Sequence, residues 1–434
     1  DLAALIEGEL TQGSVTAKAG GGSITFDGHL SLPVQLAGAV TVIMPGTAAF
    51  LASFGVDGVE LPQGLGRKAS AEADLTVTRP KQLSLSGLRL TLDQNSFTGD
   101  VDVDLARPVP EVAATLSAGT LDFSGGSEAG VSGGSGTEGW SKAGIDASAL
   151  GLFNGQISLA AQGLRVAGLS FGATNAAATI DNSRAVIALS RLSGYSGLVT
   201  GQVVANNRNG LSVGGTVNAS GVELQTLLTD LVGVSRFTGQ ADANVELLGV
   251  GNSVHAIMNS LSGNGSVSMG RGTIKGIDLD SLMRKGLATG GTTVFDSLSA
   301  SFTMEKGNLF NKDLLLQLPV ISARGEGRIG LGARDIDYLF TPKAASASNE
   351  NGVVIPVRIK GPWSGPKIWP DLEKAIDLNL QDEKDALRQK AETRVKDKLK
   401  QELGVEVQDG ESVEDAVRKK IEDEAVKGLL NLLK

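Results

Sequence analysis

Two histidines, His29 and His255, are the only side chains here that would titrate near neutral pH without perturbation. Both sit in turn-like or short helical contexts with no nearby partner for a proton relay, so surface or structural roles are expected of them. Gly130-Val131-Ser132-Gly133-Gly134 has the spelling of a nucleophile elbow, but that motif needs a strand before it and a helix after it. Ser132 lies instead inside a Gly/Ser-rich run, where the spelling arises by chance. Gly325-Glu326-Gly327-Arg328-Ile329-Gly330 fits a dinucleotide fingerprint, yet the following LGARDIDYL reads as turn and strand, with no helix N-terminus to receive a pyrophosphate. Asp100, Asp102 and Asp104 put three carboxylates on one strand face about 7 Å apart, which is a solvated face rather than a calcium cage. With no cysteine available, thiolate metal sites and disulfides are excluded. Neither catalytic residues, nor a metal, nor a cofactor is expected, and the protein reads as a non-enzyme.

What the sequence supplies in quantity is a one-sided pattern. Phe97, Val101, Val103 and Leu105 alternate with Thr98, Asp100, Asp102 and Asp104, as in a strand with one wet face. The alternation returns at Leu75 and Val77, Leu88 to Leu92, Ile157 to Ala161, Ala243 to Leu247, Leu298 to Met304, Ala323 to Leu331 and Val353 to Ile359. Hairpin turns are expected at Asn206 to Gly210 and Glu305 to Gly307. The fold class is therefore mainly β: an elongated, curled antiparallel sheet with short connecting helices.

The 434 residues carry a net charge of −9 and no basic stripe interleaved with aromatics, so nucleic acid is a poor partner. The longest nearly uncharged apolar stretch, Leu36 to Met44, is far too short to span a bilayer. The chain opens at Asp1 with no signal-peptide pattern, so it reads as a processed or truncated product whose membrane anchor would lie upstream.

Four stretches differ in composition. Residues 1–123 are alternating strands, and 124–139 are a Gly/Ser-rich linker or loop. Residues 140–370 are strands again, and 371–434 are a highly charged tail of amphipathic helix. Strand phrases recur as SFTGDVDVDL (96–105), YSGLVTGQVV (195–204) and RFTGQADANVEL (236–247), which favours an extended sheet over a compact globule. In the tail, Leu387, Ala391, Val395, Leu399 and Leu403 form one stripe, and a second helix is expected from Ser412 onward. That last helix carries five acids and five bases, which suits a protein partner or the protein's own groove better than an anionic membrane.

Something must cover the apolar stripe. A second sheet or the tail helices would make an ordinary sandwich, whereas an uncovered curled sheet would be a gutter for acyl chains. At about 0.8 kcal/mol per methylene, leaving a sixteen-carbon chain in water costs on the order of 13 kcal/mol. The groove-facing candidates are Val101, Val103, Ile157, Leu159, Val245, Leu247, Leu298, Phe302, Ile329, Leu331, Ile355 and Val357.

Seven phrases carry a family resemblance: WSKAGIDASAL (140–150), NGQISLAAQGLRVAGLSFG (154–172), GVELQTLLTDL (221–231), LSGNGSVSMGRGTIKGIDLDSLMR (261–284), FDSLSASFTMEKGNLFNKDLLLQLP (295–319), ARGEGRIGLGARDIDYLFTPK (323–343) and VVIPVRIKGPWSGPKIWPDLEKA (353–375). Together they resemble the C-terminal region of the AsmA family of Gram-negative envelope proteins, and residues 1–123 resemble that family's middle repeats. The resemblance implies a periplasmic protein, anchored in the inner membrane by an N-terminal helix absent from this chain. It also implies a repeating β-groove similar to that of bridge-like lipid transfer proteins. Such a protein would bind phospholipid acyl chains and conduct phospholipid between inner and outer membrane, supporting outer-membrane biogenesis. The alternative is a scaffold or regulatory interaction protein that affects outer-membrane protein assembly, meeting an envelope protein through its C-terminal helix. The family supplies no catalytic residues to carry over, and the charged tail beyond Ala375 departs from its compact ending.

Overall fold

The computed structural model describes residues 11–378 apart from 32–34, 60, 62, 80, 125–138, 286–289, 320 and 344–354. The first seven strands are β1 (Thr11–Ala19), β2 (Gly22–Ser31), β3 (Gln35–Met44), β4 (Ala69–Arg79), β5 (Gln82–Leu92), β6 (Asn95–Asp104) and β7 (Glu111–Asp122), with helix α1 (Thr47–Ala52) after β3. Next come β8 (Asn154–Val166), β9 (Leu169–Phe171), β10 (Thr174–Asp181), β11 (Arg184–Gly194), β12 (Gly197–Asn206) and β13 (Ser212–Glu223). Helix α2 (Leu224–Val232), β14 (Phe237–Thr238), β15 (Gln240–Val250), helix α3 (Val254–Ser260), β16 (Ser262–Met269), β17 (Gly272–Lys275) and helix α4 (Leu279–Lys285) follow. The chain then runs through β18 (Thr292–Phe295), β19 (Ser297–Glu305), β20 (Asn308–Gln317), β21 (Ser322–Gly330), β22 (Asp335–Lys343), β23 (Val357–Pro362) and β24 (Lys367–Pro370).

Twenty-one of these strands make one sheet that is not closed. From β1 to β7 each strand pairs antiparallel with the next. From β8 the meander resumes through β10 to β13, then β15, β16 and β19 to β24. Tight turns drive it: Lys306 and Gly307, at φ 48° and 71°, give the left-handed two-residue turn that matches strand twist. The antiparallel expectation fails at one junction, where β7 pairs with β8 in parallel from Glu111↔Asn154 to Asp122↔Arg165. A two-residue hairpin cannot make that connection, because the chain must return to the end of the sheet from which β7 set out. The 31 residues from Phe123 to Phe153 provide the return.

A second sheet of β14, β17 and β18 continues the neighbouring strands β15, β16 and β19 past bends at Gly239, Gly270-Arg271 and Asp296. Helix α2 is fixed by Glu223, whose carboxylate accepts from the Gln225 and Thr226 amides, and ends at left-handed Gly233. At the C-terminal end residues 372–378 are helical and bury Ala375. The two longer helices expected between 387 and 434, and the Gly/Ser stretch around Ser132, lie outside the described residues.

Candidate functional site: the apolar face of the sheet

Cross-strand register sorts the side chains into rows that run perpendicular to the strands. One row reads Val101, Ala114, Ile157, Ala178, Ile187, Val203, Gly215, Leu247, Gly263 and Met304. The next row on the same face reads Gly99, Leu116, Leu159, Ala176, Leu189, Gly201, Val217, Val245, Gly265 and Phe302. Neither contains a polar or charged side chain, and each crosses ten strands, about 43 Å at the usual strand spacing. The row between them on the other face reads Asp100, Thr115, Ser158, Ala177, Ala188, Gln202, Thr216, Glu246, Asn264 and Thr303, and every member is exposed.

The two faces also differ in shape. Leu248 and Leu198, on the polar face, are 49% and 41% exposed, while Leu247 and Val199 beside them on the apolar face are half-buried. Similar side chains on adjacent residues differ this way when the sheet curls around one face, so that neighbours on the inside shield one another. Among the described residues, substantial contacts between elements run between sheet neighbours or from a helix to a nearby strand, and no second layer lies over these two rows. Among the described residues nothing forms a sandwich over them, and the apolar floor is open there. Alternation of Ala and Gly with Val, Leu and Ile keeps that floor roomy.

The floor closes at one end. Helix α4 sets Leu279, Leu282 and Met283 against Phe295, Leu316, Ala323, Tyr338 and Val357 in a cluster that is almost solvent-free. Asn311 is the polar member of the floor there: Nδ2 donates to the Ser301 carbonyl and the Asp313 carboxylate, and Oδ1 accepts from the Tyr338 hydroxyl. Burial, reinforced by the negative charges of Asp313 and Glu326, holds the Tyr338 phenol well above its ordinary pKa, so it stays a donor. Far along the sheet, at the turn between β5 and β6, Asp93 accepts four backbone amides, from Gly64, Gly66, Arg67 and Lys68, at 2.7 to 3.2 Å. Burial opposes its ionisation, but those donors outweigh burial and lower its pKa.

Register places Val101, Val103, Ile157, Leu159, Val245, Leu247, Leu298, Phe302 and Ile329 on one face. Leu298 and Ile329 border the closed cluster, and Val357 is fully buried inside it. Leu331 sits in the turn after β21, and Ile355 precedes β23. The sequence reading passed over Phe26, Leu36, Val40 and Leu85, which extend the same face across β2 to β5 around buried Leu75 and Val77. Their alternation was the available signal.

His29 lies on strand β2 rather than in a turn and is exposed, and among the described residues the His255 ring has Asn259 within hydrogen-bonding reach. Gly325 to Gly330 runs along β21, followed by a turn and β22. Asp100, Asp102 and Asp104 each engage a separate local donor, Gly87, Ser84 and Ala106 respectively, and no metal-holding cluster occurs among the described residues. Among those residues no helix is long and apolar enough to cross a membrane.

No curated protein and no solved structure matches the chain. The AsmA family model matches residues 32–314, a span that covers most of the first strand-rich part and reaches β20 in the second. With about two-thirds of its length matched, and that length forming most of one repeating sheet, the chain belongs to the AsmA family.

Proposed function

We propose that this protein is a non-enzymatic carrier that seats phospholipid acyl chains along the open apolar floor and conducts phospholipid between the inner and outer membranes. The observation that carries this reading is the pair of rows from β6 to β19 that hold no polar side chain and have no second layer over them among the described residues. Water on such a floor is displaced favourably by any aliphatic chain, at about 25 cal/mol per Å² of apolar surface removed. The polar outer face keeps the whole soluble while the inner face carries cargo. Because neighbouring strands repeat the same apolar pattern, no position on the floor holds a chain much more tightly than the next, and sliding needs no covalent step. Membership of the AsmA family supports a periplasmic setting, with an anchor in the inner membrane and a role in outer-membrane biogenesis.

Val245→Asp and Ile157→Asp test the reading, since each places a charge in the middle of the open floor. Both should lower phospholipid recovered per folded chain at least several-fold, because an uncompensated carboxylate in an apolar site costs several kcal/mol. Thr216→Asp, on the outer face, should leave the load unchanged. Equal loads in all three variants would overturn the proposal and favour a scaffold that meets other envelope proteins.

A further inference from the structure

The return from β7 to β8 leaves a strap, residues 140–153, along one rim of the sheet. Trp140 stands at the hairpin between β21 and β22, where its Nε1 donates to the Leu331 carbonyl at 2.7 Å and it is only 9% exposed. The His255 amide then donates to the Ser141 carbonyl, and the Ile145 amide donates to the Asn252 carbonyl, beside α3. Past the 3₁₀ turn Ser148–Gly151 the strap reaches β8, where the Asn154 amide donates to the Pro110 carbonyl and Asn154 Oδ1 accepts from the Asn182 amide.

This path crosses the ends of ten strands, β8 to β21, a rim contour of about 43 Å. At most eight extended residues, with Ala147, the four of the 3₁₀ turn and αR Leu152 adding about 2 Å each, reach about 38 to 41 Å. The strap is therefore slightly shorter than the flat rim, so it spans the curled sheet and a flatter one would draw it taut. Its far end is held by the guanidinium of Arg334, which lies 5.4 Å from the Trp140 ring centroid and 6.0 Å from that of Trp363. Trp363 is pinned in turn, its Nε1 donating to the Asp335 carbonyl and its amide to the Arg334 carbonyl. Two of the three tryptophans in the chain are spent on this stack.

We propose that residues 140–153 are a brace that fixes the curl of the sheet from β8 to β21, and that the Trp140–Arg334–Trp363 stack is its fastener. Releasing the fastener flattens the arc and widens the floor. The brace needs no bound lipid, so its test stands apart from the carrier reading.

The chain has no native cysteine, so Ser158→Cys on β8 and Glu326→Cys on β21, both exposed on the outer face, can carry nitroxide labels without further changes. Pulsed electron spin resonance would read their separation in the full chain, in Trp140→Ala, and in a variant with four glycines inserted after Gly144. The insertion adds about 13 Å of slack and leaves every stack residue in place. Both variants should retain their sheet signal in circular dichroism, and their distance distribution should broaden and move outward by about 5 Å, one strand spacing. If Trp140→Ala fails to fold, the insertion decides alone. An unchanged distribution in the insertion variant would overturn the brace.

Discussion

Gly99 and Gly155 sit where two backbones meet inside the floor. A Cβ on Gly99 would lie 1.9 Å from the Thr115 carbonyl oxygen, and one on Gly155 would lie 1.8 Å from that of Val112. Their φ values of 151° and 137° belong to glycine as well. Gly99→Val should therefore lower stability by about 1–3 kcal/mol, read as a lower urea midpoint. Gly119→Ala, on β7 with nothing within 4 Å of its added carbon, should be neutral within about 0.5 kcal/mol. A second residue-scale prediction concerns acid. The Asp93 pKa is lowered in the folded chain, so the stability it contributes is complete above its ordinary 3.8 and is lost as pH falls through the lower folded value. Hydrogen exchange at the Gly64, Gly66, Arg67 and Lys68 amides should accelerate on that descent beyond its intrinsic pH trend. Asp93→Asn should abolish the extra acceleration, and an identical profile in both proteins would refute the clamp.

Elements of this fold divide into those that bear load and those that leave surface available. Leu316, fully buried under α4, should cost about 2–5 kcal/mol when cut to Ala. Val245, on the open floor, should cost about 1 kcal/mol or less, because water already reaches it. Equal costs by urea unfolding would mean that something covers the floor. The same division explains what the sequence made legible. Strands such as β6 and β15 were readable because a period of two marks a half-wet strand wherever it occurs. Short connecting helices were also expected, and α2 and α4 are two of them. The parallel junction was not readable, since Ile157 and Leu159 alternate identically whichever way β8 runs. Nor was the closed cluster, because Val357 has the same local pattern as Val245 and differs only in what distant α4 places above it. Trp140 and Trp363 gave a weak signal, as rare aromatics in a chain with few.

At the scale of the whole molecule, the described residues do with one layer what most folds do with two. A single curled sheet ordinarily needs a partner for its apolar face. Here the closed cluster and the local clusters around Phe26 and Phe97 anchor parts of the sheet, and the rows between β6 and β19 stay uncovered among the described residues. Such a surface is stable in water only if its curvature shelters it or a ligand occupies it. The most direct test is native mass spectrometry of the protein purified without detergent, with extraction and identification of what it carries. The carrier account predicts one or more phospholipids per chain, lost in Val245→Asp. A folded chain that is lipid-free and takes up none from phospholipid vesicles would contradict it.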